Sequence, residues 1–303
     1  MIRLPHPDSP TSRSTSGIRF AVGNAIFGEL EISHLDLIHD FGFPGLEPYR
    51  GWLGPFLNEP EKLKDLLDER GITLVTCSNG GANQSTQFID PRYRQQTIDD
   101  HVAFARDFLR VFGCGHFKIN MGGRPADGPS DDELKAIATT VNEIGKRTAD
   151  FGVLIAPHPH IWGPVERPEE VDRLMELTDP KIVGLIVDTG QINLGGGDPV
   201  ALIDKYYDRI PALHWKDTRP EFRGYTGPTP SREQHQKAIL YKDLGAGGVD
   251  FPAIWKLLGE RNSQTWITLD LDPPRPNEGE GTPADKLAIN RRYLFETLRV
   301  EHL

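Results

Sequence analysis

The segment APHPHIW, residues 156–162, places His158 and His160 two apart around a proline. In a strand, alternate residues share a face, so at a strand end both imidazoles would leave the sheet on one side. Such a pair can hold a metal ion, position a substrate, or do neither. Other chemistry-bearing residues also follow short apolar runs. These are Glu47 in GLEPYR, Ser78 and Asn79 after ITLVTC, Lys118 and Asn120 in HFKIN, and Asp188 in IVDTGQ. His214 in ALHWKD and the pair Asp270 and Asp272 in ITLDLD complete the series. Imidazole and carboxylate together suit a borderline divalent cation such as Mn²⁺, Co²⁺, Zn²⁺ or Fe²⁺. His158, Asp188, His214 and Asp270 form the best four-ligand set. His160 is then expected above the metal, towards substrate. Lys118 could bind a substrate oxygen or stabilise an enolate, or form a salt bridge in the barrel mouth. Glu47 is either a general acid/base or the partner of Lys118 or Arg50. Trp215, beside His214, is expected to touch substrate.

These residues need elements to carry them to one place. Apolar runs at IRFAVG (18–23), FPGLEP (43–48), ITLVTCS (72–78), HFKIN, VLIAPHPH, IVGLIVDTG, IPALHWKD and TWITLDLD read as strands. Between them lie amphipathic stretches such as EPEKLKDLLDERG and RPEEVDRLMELT. The stretch SDDELKAIATTVNEIGKRTADFG adds Ser130 as an N-cap followed by acids in the first turn. About eight strand–helix units in this length predict a single parallel α/β (β/α)8 TIM barrel spanning 18–303. In such barrels the active site lies at the C-terminal strand ends, where the residues above fall. Residues 1–17, polar and rich in Ser, Thr and Pro, are expected to form a flexible tail. Residues 216–249 are long for a loop and are expected to act as a lid or a subunit contact. NLGGGDP (193–199) lacks the spacing of a phosphate cradle and reads as a tight loop.

Composition narrows the functional classes. The formal charge of −10 over 303 residues opposes a duplex nucleic-acid surface. No run of about 18 apolar residues is present to span a bilayer. Two cysteines, Cys77 and Cys114, make no disulfide framework, and a cytoplasmic location is expected.

The run from Gly152 to Asp217, GVLIAPHPHIWGPVERPEEVDRLMELTDPKIVGLIVDTGQINLGGGDPVALIDKYYDRIPALHWKD, resembles the xylose-isomerase-like TIM-barrel sugar isomerases and epimerases. The nearer likeness is to the branch that contains 2-keto-myo-inositol dehydratase. LGAGGVDFPAIWKLL (244–258) and RRYL (291–294) support it downstream. The resemblance implies one divalent metal on His158, Asp188, His214 and Asp270, with Mn²⁺ the first choice and Co²⁺, Mg²⁺, Zn²⁺ or Fe²⁺ as alternatives. It also implies a carbohydrate substrate and a homo-oligomer. Three departures bear on chemistry. His158 stands where many epimerases have a glutamate, which there is also a proton-transfer base. Gln191 replaces the histidine of DTGH and can orient substrate but not move a proton. Asp270 replaces a longer glutamate and is expected as ligand or base.

A metal chelated by adjacent carbonyl and hydroxyl oxygens acidifies the neighbouring C–H. Proton removal then leads to elimination or hydration, the preferred reading, with His160 as acid and Asp270 or Glu47 as base. The alternatives are epimerisation or isomerisation through an enediolate, or a non-catalytic or partner-dependent sugar-binding barrel.

Overall fold

The computed structural model describes residues 17–80, 88–275 and 279–303. The expected tail at 1–17 lies outside the described residues, but for Gly17. The strands are β1 (Arg19–Gly23), β2 (Gly45–Glu47), β3 (Thr73–Leu74), β4 (His116–Ile119), β5 (Leu154–Pro157), β6 (Val187–Asp188), β7 (Ala212–Trp215), β8 (Asp217–Thr218), β9 (Tyr241–Lys242) and β10 (Trp266–Leu269). Six run side by side in the order β3-β2-β1-β10-β7-β6, and β4 pairs with β5, all in parallel. Bridges Ser78 to Lys118 and Ile155 to Val183 join the two groups into a closed ring of eight. The predicted eighth strand is therefore β10.

The helices are α1 (Ile32–Asp40), α2 (Pro60–Asp68), α3 (Arg94–Asp107), α4 (Asp131–Thr148), α5 (Pro168–Leu177), α6 (Thr189–Leu194), α7 (Pro199–Tyr206), α8 (Arg232–Lys237), α9 (Phe251–Glu260) and α10 (Pro283–Arg292). Local sequence sets their ends. Ser130 caps α4 through a reciprocal bond with Glu133, and Asp131, Asp132 and Glu133 oppose the helix dipole there. Asp198 and Asp250 cap α7 and α9, each followed within two residues by proline. Buried faces of these helices, such as Val171 and Leu174 of α5, join one apolar layer around the ring. Among the described residues, no helix is long and apolar enough to cross a membrane.

Two expectations are corrected here. Trp215 is not a substrate contact. Its ring packs 5.8 Å from Phe20, 5.0 Å from Phe251 and 6.1 Å from Trp255, in the layer between strands and helices. Strand alternation explains this, because His214 faces the barrel interior and its neighbour must face outward. The stretch 216–249 is also more than a loop. β8 pairs antiparallel with β9, and the excursion between them carries α8.

The base of that excursion is clamped by Asp217. Its carboxylate accepts hydrogen bonds from the backbone N–H groups of Thr218, Gly245, Gly247 and Val249, at 2.8–3.0 Å. A side chain at Gly247 would place its Cβ 1.6 Å from the carbonyl oxygen of Thr218, so only glycine fits.

Candidate metal centre and active site

His158 follows β5, Asp188 ends β6, His214 lies in β7 and Asp270 follows β10. All four are buried, and one ligand atom from each lies within 4.8 Å of every other. This is the predicted set, brought together by consecutive strand ends. His158 Nε2 and Asp188 Oδ2 stand 3.7 Å apart. His214 Nδ1 lies 3.9 Å from Asp188 Oδ2 and 3.4 Å from Asp270 Oδ2.

The other atoms of these side chains are held from behind. Asn120 Oδ1 accepts from His158 Nδ1 at 3.0 Å. Glu47 Oε2 accepts from His214 Nε2 at 2.8 Å. Asp188 Oδ1 accepts from the backbone N–H of Gln191 at 2.9 Å, capping α6. Each partner turns the remaining nitrogen or oxygen towards the shared centre.

That centre fits a divalent cation. Among the described residues, His158 Nε2 and Asp188 Oδ2 are buried without a hydrogen-bond partner. Polar atoms are costly to leave so. Ligand distances of about 2.1 Å place opposing donors about 4 Å apart, which matches the observed spacing. Ring nitrogens and carboxylates without thiolate suit the metals predicted above.

The electrostatics agree. Burial, and then the charge of Asp270, push Asp188 up to about 7. Burial also works against the charge of Asp270, but Lys216 and His214 hold it well below the ordinary range. His158 is depressed by burial and by Lys118. Burial works against the charge of His214, but Glu47 and Asp270 together raise it above the ordinary imidazole value. A cation bound at this centre would displace any proton on His214 Nδ1 beside Asp270.

Glu47 has three partners: His214, Thr268 Oγ1 at 2.8 Å and Lys118 Nζ at 3.3 Å. Burial raises its pKa, but His214 and Lys118 bring it down to about 2. Of its expected roles, geometry favours that of partner to Lys118; Arg50 pairs with Asp100 instead. Lys118 is fully buried and lies 4.9 Å from the ring centroid of Tyr49. Burial opposes its charge, yet Tyr49 and Glu47 lift its pKa above the ordinary lysine value.

His160 sits with its ring 5.6 Å from that of His158. Its Nδ1 is 2.5 Å from the carbonyl oxygen of Ile161. A carbonyl only accepts, so Nδ1 carries the proton and Nε2 offers a lone pair. Burial lowers its pKa to about 4. Gln191 Oε1 accepts from Tyr241 Oη at 3.0 Å and from the backbone N–H of Ile161 at 3.3 Å, which leaves its NH₂ group as the donor. A pocket of about 190 Å³ opens over His158 and His160, lined also by Tyr49, Asn120, Trp162 and Arg232.

Sequence reasoning assigned no role to Lys216. Its Nζ lies 2.6 Å from Asp272 Oδ1, 3.0 Å from the carbonyl oxygen of Asp270 and 3.4 Å from Asp270 Oδ1. The signal was present: two residues beyond an inward His214, Lys216 shares its face. Tyr241 and Arg232 arrive from the excursion and carry no comparable signal.

Comparison with known proteins bears on this site. Residues 35–292 match the family model described as xylose isomerase-like TIM barrel. An inosose dehydratase of Clostridium botulinum (strain Alaska E43 / Type E3) is 28% identical over 256 residues, covering 77% of this chain and 80% of that protein. A solved structure of IOLI protein with a binding zinc atom superposes with a TM-score of 0.72 at 15% identity, covering 92% of this chain and 97% of that one. The probable 3-DHS dehydratase AsbF of Bacillus anthracis gives 0.69 at 14%, covering 91% and 98%. At such identity the two structures show a shared fold.

Proposed function

The chain belongs to the xylose isomerase-like TIM barrel family and is an enzyme of the dehydratase or isomerase kind, and we propose that it eliminates water from a keto-sugar or keto-inositol. The observation that carries this reading is His160, which presents an unprotonated Nε2 beside the four-ligand set.

A divalent cation on His158, Asp188, His214 and Asp270, Mn²⁺ in the first instance, would draw charge from adjacent carbonyl and hydroxyl oxygens and acidify the C–H between them. Nε2 of His160 accepts that proton. Lys118, kept charged by its carboxylate neighbours, donates to the oxygen on which negative charge develops. His160 then returns the proton to the β-hydroxyl, which leaves as water. A C–H and a C–O bond break, a C=C bond forms, and no oxidant is required.

Gln191 donates its NH₂ group to a substrate hydroxyl. Glu47, with its three partners, is a positioning residue that orients His214 and Lys118. His160 thus begins as base and ends as acid, and Asp270 serves as ligand. Two-base epimerisation needs a second uncommitted base. The carboxylates of this site either have partners or belong to the ligand set, which favours elimination. The relatives named inosose dehydratase support the same choice.

The test is proton NMR of the Mn²⁺-loaded protein in D₂O with 2-keto-myo-inositol, neutral keto-sugars and keto-sugars that bear a carboxylate or a phosphate. Loss of an α C–H with new alkene or diketone signals is expected. Deuterium uptake without loss of water would make the enzyme an isomerase or epimerase. Absence of exchange across the panel would overturn the reading.

A further inference from the structure

The pocket over His158 and His160 has a one-sided charge. Among its lining residues, Arg232 carries a formal charge and none is a carboxylate. The acids nearby are engaged elsewhere. Arg124 pairs with Glu166 at 3.1 Å and with Glu170 at 2.7 Å, and Asp272 pairs with Lys216. Lys118 and Lys216 are matched by carboxylates of their own. Arg232, at the start of α8, is exposed, and among the described residues it has no hydrogen-bond or ion-pair partner.

Its position is nevertheless fixed. The guanidinium lies over the Trp162 ring, 4.6 Å from the centroid. Trp162 has φ of 65°, a backbone state unfavourable for a residue with a side chain. Its backbone carbonyl accepts from the backbone N–H of Arg124 at 2.8 Å, and it donates two hydrogen bonds of its own. Its backbone N–H donates to Glu166 Oε2 at 2.7 Å, and its indole N–H to the carbonyl oxygen of Pro230 at 2.8 Å. Stacking uses the face of a guanidinium and leaves its in-plane N–H donors free. Those donors match the two oxygens of a carboxylate or phosphate.

We propose that the substrate carries an anionic group, a carboxylate or a phosphate, at its end away from the ligand set, and that Arg232 binds this group; the inference rests on the reading of that set and pocket as the substrate site. Arg232 is then a specificity residue on the excursion between β8 and β9, which already rests on the β5–α5 segment through Trp162.

Calorimetric titration without added metal tests it, since neither anion can then gain by chelating the ion. Glucuronate, glucose 6-phosphate and glucose are the probes, on the wild type and on Arg232→Gln and Arg232→Lys. At least one anion is expected to bind the wild type roughly tenfold tighter than glucose, as a charge-assisted pair provides. Whichever anion gains more identifies the group. Arg232→Gln should erase the preference and Arg232→Lys should keep part of it. A wild type that binds glucose as well as either anion, or binds none of the three at millimolar concentration, overturns the proposal. So does an Arg232→Gln protein that retains the preference. A separate Mn²⁺ titration of the same proteins should give one site of equal affinity in each. Failure of that titration in the wild type sinks the metal reading and leaves the anion result standing on its own.

Discussion

The two halves of the barrel treat their polar side chains differently. The half built from β5, β6, β7 and β10 offers atoms to a common centre, two of which have no partner among the described residues. The half built from β1 to β4 contributes Glu47, Lys118 and Asn120, and these contact the other half or one another. One half is open to a metal ion and the other chiefly holds it open, Lys118 having in addition the substrate role proposed above. The difference separates residues proposed to bind from residues that aim them, a distinction that residue type alone does not make, since both halves carry buried charge.

Substitutions can break that contrast or sharpen it. Asp188→Ala removes a binding atom and should weaken Mn²⁺ by more than the roughly 100-fold that marks loss of an outer partner; turnover should vanish with it, as read by electron paramagnetic resonance and the NMR assay. Glu47→Gln removes an aiming atom and leaves Lys118 unpaired. Its metal affinity should fall by about 10- to 100-fold, with a lower Tm, because stranding one member of a buried ion pair costs about 3–5 kcal/mol. Should it match Asp188→Ala in metal affinity, Glu47 is itself a ligand and the division between halves is lost. Asn120→Ala frees the His158 ring without disturbing a charge, and a fall of about tenfold is expected. Trp215→Phe lies outside both groups. It should change metal affinity by less than about twofold while lowering stability by about 2 kcal/mol in chemical denaturation, the cost of underfilling a packed layer.

The binding half was the legible half. Each of His158, Asp188, His214 and Asp270 ends an apolar run, so counting strands places them together. Ser130 and its acids likewise announced α4. The aiming contacts were harder to read. That Glu47 reaches His214 across 167 residues depends on the closed ring, and sequence spacing holds no trace of it. The substrate role expected of Trp215 failed for a simpler reason: adjacency in sequence was allowed to outweigh alternation along the strand, which selects Lys216. The tautomer of His160, on which its proposed start as base depends, follows from a bond to the next carbonyl, a detail below the resolution of residue identity.

The Asp217 clamp has a consequence for how such an enzyme can change. Four backbone N–H groups and the close approach at Gly247 fix where the chain departs from the barrel and where it returns. None of these contacts uses a side chain between β8 and β9. The excursion is therefore a cassette with a standard fitting. New sequence between its ends can alter what the pocket recognises, Arg232 included, while the chemistry beneath it is left as it was.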